Sequence, residues 1–431
     1  EAGKKRLDII SSITHNPYVV ISNKENLDIK QDKILIAEEL MKESNYQYNY
    51  ENEIDSDFIA MIMFTSGSTG LPKGVLLPHK NVLNRTLEAT EFLNLHSNDN
   101  MLNWMPLDHV GGIIMAHMQA IGFQGAQEIV NTKIILSKPS KWLGYLSRFK
   151  ATSTWAPNFA FGLLLDVENE IKDMNISLEN LKVIENGGEA INYNSCEKFM
   201  NLMRSKGLKH DAMIPAWGMT ETCSGVLYSR RFGDVLDKNS VAVGKPIPGI
   251  KVRIVDEDGN IVPKGEKGDL QISGNTVLNE YFELPEENNK AFTKDGWFIT
   301  GDCAIIKEDE ILITGRTKEI MIINGKNISC LEVEKNLEEI EELQTGTVGC
   351  SAIKNEETSE DEVCIFYGET SKSLRNFMKK KISYELSKNF GFTYDYLIPI
   401  AIDEMPRSSI GKIEKKLLVK EFKEGKIKSI S

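Results

Sequence analysis

From Phe58 to about Arg204 the chain alternates short apolar runs with stretches of helical period. FIAMIMF precedes KNVLNRTLEATEFL, MLNWMPL precedes VGGIIMAHMQAIGF, ATSTWAP precedes NFAFGLLLDVENEI, and LKVIENG precedes NYNSCEKFMNLMR. Strand and helix repeated in this order predict an α/β layer on a mostly parallel sheet, because parallel neighbours need a crossover long enough to hold a helix. From Gly225 to Thr314 the texture changes to short strands with turn signals, among them KVRIVDEDGNIVP, where Asp258-Gly259 sits between apolar runs as a hairpin turn. That stretch predicts a smaller β-rich subdomain. After Gly315 a third pattern begins, with EIMIINGKNIS as strands, LEVEKNLEEI as a helix and further strands in VGCSAIKN and EVCIFYG. Leu374, Phe377, Met378, Ile382 and Leu386 then recur at helical spacing. This is an α+β module of about 110 residues, and its junction is expected near Gly315 to Lys318.

At 431 residues the chain has room for two or three domains. Its 51 Lys plus Arg against 63 Asp plus Glu give a net charge of −12, which argues against nucleic acid or an anionic membrane as a partner. The six cysteines, Cys196, Cys223, Cys303, Cys330, Cys350 and Cys364, form no C-x-x-C pair and read as reduced thiols, which points to a cytoplasmic setting. The longest apolar runs, such as IAMIMF at 59 to 64, are too short to span a bilayer. EAGKKRLDII has no apolar core of a secretory signal, and the chain reads as an excised or shortened domain.

The segment TSGSTGLPKGV, Thr65 to Val75, follows the strand Phe58 to Phe64 and concentrates small hydroxyl and glycine residues before one lysine. Small residues let backbone N–H groups approach phosphate oxygens, hydroxyls donate further bonds, and Lys73 adds a point charge. The segment is built for a polyphosphate. It differs from the G-x-x-x-x-G-K-[ST] loop, since Lys73 follows Pro72 and is succeeded by Gly74.

On this loop the chain resembles the adenylate-forming superfamily of acyl-CoA ligases, luciferases, peptide-synthetase adenylation domains and fatty acyl-AMP ligases. The resemblance continues, in the family's order, through NGGEA at 186 to 190, WGMTE at 217 to 221, GWFITGD at 296 to 302, GRTKEI at 315 to 320 and PRSSIGK at 406 to 412. It implies an adenylation core over residues 1 to 314 with a β-barrel-like part at about 225 to 314, a hinge at 315 to 318 and a mobile C-terminal lid domain at 319 to 431. The family normally has a much longer stretch before its phosphate loop, so part of the large domain is expected to be missing.

By the same resemblance ATP is held by Thr65, Ser66, Gly67, Ser68, Thr69, Gly70 and Lys73, by Gly187, Gly188 and Glu189, and by Trp217, Gly218 and Met219. Trp217 offers a purine a stacking face where the family more often has Tyr, Thr220 bonds the α-phosphate and Glu221 holds Mg²⁺. Asp302 takes both ribose hydroxyls with help from Arg316, Lys412 bridges the substrate carboxylate and the α-phosphate, and Lys318 is the hinge. Ile299 stands where the family frequently has a basic residue.

MPLDHVGG, Met105 to Gly112, resembles one wall of the family's acyl pocket, with His109 at the position of a common histidine. Amino-acid-activating members carry an Asp at the next position and this chain has Val110, so an α-ammonium would be buried unpaired. The expected substrate is a carboxylic acid that is not an amino acid. WAPNFAFG, Trp155 to Gly162, is similar to fatty acyl-AMP ligases and to domains that load carboxylic acids onto polyketide assembly lines. It offers Trp155, Asn158 and Phe159, with Gly187, as acid-binding residues, and Phe161 as a further aromatic. NFGFTYDYLIPI, Asn389 to Ile400, is similar to the loading domains. The implied activity is ATP-dependent acyl-AMP formation with release of pyrophosphate. Transfer follows to a phosphopantetheine thiol on an acyl carrier protein or, alternatively, to CoA, with Gly325 bordering the thiol's path. A different reading is a nucleotide-binding scaffold without turnover.

Overall fold

The computed structural model describes residues 20–22, 34–36, 55–65, 73–234, 241–323, 326–344, 346–354, 361–369, 371–408 and 411–430. Two compact units are distinguished, Glu1–Lys80 with Leu278–Lys290, and Asn81–Val277 with Ala291–Ser431. In the first, β1 (Val20–Ser22) pairs in parallel with β2 (Ile34–Ile36), and β3 (Ile59–Thr65) pairs antiparallel with β4 (Lys73–Pro78). The predicted strand before the glycine-rich segment is thus one arm of a hairpin, and Thr65 faces Lys73 across its end.

Chain order continues with helix α1 (His79–Phe92), whose buried Val82, Arg85, Thr86, Ala89 and Thr90 follow the three-and-four spacing of an amphipathic helix. The strands of the second unit follow: β5 (Asn100–Asn103), β6 (Ala126–Ile129), β7 (Ser153–Ala156), β8 (Val183–Asn186) and β9 (Met213–Met219). Then come β10 (Ser224–Tyr228), β11 (Ala242–Pro246), β12 (Ile250–Val255), β13 (Gly268–Gly274), β14 (Phe298–Lys307) and β15 (Glu310–Arg316). Among the described residues these form one sheet in the order β12-β13-β14-β15-β11-β10-β9-β8-β7-β5-β6. The run from β9 to β6 is parallel, as the strand–helix alternation predicts. Strands β7 and β8 are buried at every residue, as strands covered on both faces must be. The β-rich stretch is antiparallel and continues the same sheet edge to edge through β11 and β10. The Asp258-Gly259 turn is present, with Gly259 at φ 85° and the Asp256 carboxylate accepting from the N–H groups of Asp258 and Asn260.

Helix α2 (Ser140–Phe149) lies on a stretch that the alternation does not include, while α3 (Phe159–Leu165) and α4 (Tyr193–Arg204) fall where the sequence predicts crossovers. Asn192 caps α4 by accepting from the Ser195 N–H at 3.0 Å. An eight-residue π-helical segment, Gly111–Met118, occupies VGGIIMAHMQAIGF.

Beyond β15 the turn Thr317–Glu319 leads to a hairpin of β16 (Ile320–Ile323) and β17 (Lys326–Ser329), then helix α5 (Cys330–Leu337). Strands β18 (Val348–Lys354), β19 (Asp361–Glu369) and β20 (Tyr396–Ala401) make a three-stranded sheet, with α6 (Arg375–Phe390) and α7 (Lys415–Lys423) completing the module. Its middle strand is buried on both faces: Val363, Ile365 and Tyr367 join one cluster with Val333, Met378, Ile382 and Leu386, while Cys364 and Phe366 join the other with Ile398 and Leu418. Leu374 and Phe377, expected on the buried stripe, are 36% and 45% exposed, because the chain reaches α6 through a short turn at Lys372–Leu374 and only the Met378 side of the helix meets the sheet. All six cysteines are buried free thiols. Among the described residues no helix is long and apolar enough to cross a membrane.

Candidate active site

WGMTE forms the end of the β9–β10 hairpin, closed by the turn Thr220–Thr222. Thr222 Oγ1 accepts from the Met219 N–H at 3.0 Å. A Cβ on Gly218 would lie 1.8 Å from the Ser224 carbonyl oxygen, so only glycine lets the two strands approach here. Trp217, half-buried, donates its indole N–H to Asp302 Oδ2 at 2.9 Å. Asp302 on β14 faces Arg316 on β15, whose Nε donates to Oδ1 at 3.0 Å. Both carboxylate oxygens of this buried aspartate therefore have donors, a direct link between two motifs that the sequence does not reveal. Burial raises the Asp302 carboxyl above its ordinary range, against the opposing pull of Arg316, the indole N–H and Lys412. Glu221 is buried on the turn and Thr220 is half-buried beside it; Arg316 is held protonated by Asp302 first, then by Glu319 and Glu221.

The MPLDHVGG segment is organised around Trp155 on β7. The His109 ring stacks on it at 6.1 Å and 13°, and a Cβ on Gly111 would lie 2.6 Å from the indole, so the chain passes the ring only as glycine. His109 Nδ1 accepts from the Gly111 N–H at 3.0 Å. Burial, reinforced by the Lys412 charge and opposed by Asp108, pushes the imidazole down to about 4, so it is neutral at pH 7. With Nδ1 accepting, its proton lies on Nε2, which is thereby the ring's donor. Val110 is buried at the head of the π-helical segment. Gly188, at φ 80°, lies against the Trp155 ring, and Gly187 against the Ala216 carbonyl. Asn158 is buried, but its Oδ1 accepts from the Asn192 N–H and the Cys196 thiol, so that oxygen serves packing. Glu189 Oε1 accepts from the Phe159 N–H at 2.6 Å.

Lys412 lies half-buried on the loop before α7. Arg407 builds that loop, donating to the Gly411 carbonyl and the Gly346 carbonyl, each at 2.7 Å. Gly411 has φ 85°, and a Cβ there would lie 2.3 Å from the Phe159 ring. Phe159 thus supports the lysine loop. Burial lowers the Lys412 ammonium, opposed by Glu189, Asp302 and Glu319 and assisted by Arg316. The same ammonium acts on His109, Glu189 and Asp302, residues of three different motifs. Arg407 and Gly411, within PRSSIGK but given no role by it, and a buried cluster around Arg85, which no motif marks, also belong to the structure here; Arg85 is legible as a charge on the apolar stripe of α1.

In the other unit, the Lys73 ammonium is ion-paired with Glu287 and lies 4.8 Å above the Tyr281 ring, and Thr65 is half-buried at the hairpin end. Ser66, Gly67, Ser68, Thr69, Gly70 and Gly325 lie outside the described residues. Lys318 is exposed in the turn Thr317–Glu319 that leaves β15.

A model of the family described as AMP-binding enzyme matches residues 10–282. The chain belongs to the AMP-binding enzyme family. Among curated proteins, the nonribosomal peptide synthetase apvA of Aspergillus terreus is 33% identical over 378 residues, 85% of this chain and 41% of that protein. The chain spans about four-tenths of the length of the curated relatives it matches. Among solved structures, McyG A-PCP complexed with phenylalanyl-adenylate matches 99% of this chain and 69% of its own at 32% identity and TM-score 0.89. The adenylation domain of a keto acid-selecting module bound to keto acyl adenylate matches 93% and 80% at 27% identity and TM-score 0.71. The chain is an adenylation domain of the adenylate-forming ligases.

Proposed function

We propose that this domain condenses ATP with a carboxylic acid that carries no α-ammonium, most favourably an α-keto acid, and passes the acyl group to the phosphopantetheine thiol of a carrier protein. The observation that carries the reading is the seating of the Lys412 loop, with Gly411 against the Phe159 ring, where the ammonium acts at once on His109, on Glu189 bonded to the Phe159 N–H, and on Asp302 held by Trp217 and Arg316. A cation between a carboxylate and an α-phosphate offsets their repulsion and stabilises the charge that builds as the carboxylate attacks phosphorus. His109 Nε2–H orients the acid, Trp217, Gly218 and Met219 border the nucleotide, and Asp302 takes the ribose hydroxyls. Thr65, Lys73 and the loop between them take the phosphates. Glu221 is the proposed Mg²⁺ ligand; a single carboxylate together with substrate phosphates suits that ion, which supplies charge neutralisation when bound.

Val110 supports the acid class, since no carboxylate stands there to pair an ammonium, and the keto acyl adenylate held by a domain similar to this one supports the α-keto group. The phenylalanyl-adenylate held by McyG favours a second reading, an aromatic amino acid. A carrier is favoured over CoA because apvA is a nonribosomal peptide synthetase and McyG was solved with its PCP. We place the hinge at 315 to 318, with Lys318 as pivot between adenylation core and lid. Mass spectrometry of a holo carrier incubated with the domain, ATP and phenylpyruvate, beside free CoA, should show an acylated carrier. Efficient acyl-CoA formation with an unmodified carrier would reverse the choice of acceptor.

A further inference from the structure

Arg85 is wholly removed from solvent on the face of α1 that also buries Val82 and Ala89. A guanidinium there is tolerated only if its donors are satisfied. Nε donates to the Gly225 carbonyl at 3.1 Å, Nη1 to the Ile114 carbonyl at 3.4 Å and to Gln119 Oε1 at 2.7 Å, and Nη2 to the Tyr228 hydroxyl at 2.5 Å. The group lies 3.9 Å from Glu185 Oε2, and Gln119 Nε2 donates to Glu185 Oε1 at 3.2 Å. One side chain thereby ties α1, β8 and β10 to the π-helical segment.

That segment is the part that most needs tying. Wide π turns are rare and concentrate at functional sites, because their looser geometry is retained only where the surroundings hold it. Gly111–Met118 begins directly after His109 and Val110. Its first turn is fixed by the Trp155 ring against Gly111 and by Asn103 Nδ2 donating to the Gly112 carbonyl at 3.0 Å. Its middle, at Ile114, and the residue just past its end, Gln119, are fixed by Arg85. Glu185 is also in register with Trp155 across β7 and β8, so both anchors rest on neighbouring strands.

We propose that Arg85 is a positioning residue for the acid substrate: through Gln119 and Glu185 it holds the π-helical segment in place and so sets where His109 and Val110 stand. This rests on the reading that those two residues border the acid. Arg85 makes no hydrogen bond to Trp217, Asp302 or Arg316, and its one bond to the backbone of β10, to the Gly225 carbonyl opposite Gly218, is to a strand already held in the β9–β10 pairing. Its loss should therefore be felt first on the acid side, where it holds both Ile114 and Gln119.

Arg85→Lys keeps charge and apolar stem while giving up the forked donors. Arg85→Met combined with Glu185→Met removes both charges, so that a folded variant is available if the single change leaves Glu185 buried and unpaired. In either variant, hydrogen–deuterium exchange over residues 109 to 119 should accelerate by about ten-fold or more, the scale of one lost charged hydrogen bond. In pyrophosphate exchange the KM for the acid should rise by about ten-fold, while the KM for ATP stays within about two-fold. Unchanged protection over 109 to 119 in a folded variant, or KM values for acid and ATP that rise together, would overturn the proposal. The exchange measurement needs no substrate, so it decides on Arg85 even if the proposed acid class fails.

Discussion

Lys412→Ala is expected to abolish acyl-adenylate formation while leaving transfer of a supplied acyl-adenylate to a holo carrier at close to its original rate. The ammonium sits on a loop held by Arg407 and supported by Phe159, and it acts on groups from both substrate sides. Removing one preorganised donor for developing charge costs about 10²- to 10³-fold in rate, and Lys412 would serve two anions at once. Pyrophosphate exchange measures the first half-reaction and single-turnover thioester formation the second; equal loss of both would mean that the lysine is structural. The pH profile adds an independent sign. Burial lowers the Lys412 ammonium from its ordinary value, and only the protonated form can bridge two anions. Adenylation should therefore be complete below that lowered value and decline as pH rises through it. Lys412→Arg, if it retains activity, should move the decline to higher pH.

Asp302→Ala should have the next largest effect, acting on ATP use and stability together. The carboxylate accepts from the Trp217 indole and from Arg316, so its removal strands the half-buried indole N–H, at about 1 to 3 kcal/mol for a buried donor left unpaired, while the exposed Arg316 guanidinium turns to water at little cost. Loss of the proposed ribose acceptor should raise the KM for ATP by at least about ten-fold, with the KM for the acid changed much less. Asp302→Asn should recover part of the stability and little of the ATP affinity, since it restores one acceptor and a donor in place of two acceptors. A KM for ATP that is unchanged in a folded Asp302→Asn variant would remove Asp302 from the nucleotide site. Glu221→Gln serves as the contrasting variant, with the dependence on magnesium displaced to higher concentration and the acid KM unmoved; identical magnesium titrations would count against Glu221 as a ligand.

The alternation of apolar runs and helical periods locates β5, β7 and β8, because parallel strands buried on both faces leave a run of apolar residues, whereas β6, whose residues are half-buried or exposed, and β9, beyond the alternating stretch, are not marked by it. The motif residues were legible through the family resemblance, since an aspartate in a turn such as Asp302 or a lysine in a Pro/Ser/Gly loop such as Lys412 is by itself an ordinary surface residue. Their couplings were not. The bond from Trp217 to Asp302 joins residues 85 positions apart, and nothing local in WGMTE or GWFITGD marks the partner. Phe159 illustrates the same gap, since an aromatic in PNFA suggests an acid pocket, while the fold places its ring against Gly411 under the lysine loop. Leu374 and Phe377 match the helical stripe in sequence yet remain exposed, because periodicity does not say how wide a face the neighbouring sheet will cover. Arg85 is the clearest lesson, since a charge at a position that should be apolar signals a buried network, and only the fold supplies Gln119, Glu185 and Tyr228 to complete it.

The most direct test of the account is ATP–pyrophosphate exchange by the unaltered domain with phenylpyruvate and with phenylalanine, two acids of the same shape that differ in the α substituent. The buried Val110 offers no partner for an ammonium, and leaving such a charge unpaired costs several kcal/mol, so exchange with the keto acid should exceed exchange with the amino acid by at least about a hundred-fold. Val110→Asp should narrow or invert that ratio by burying a carboxylate where the keto acid needs none. Strong exchange with phenylalanine in the unaltered domain, and little with phenylpyruvate, would contradict the account.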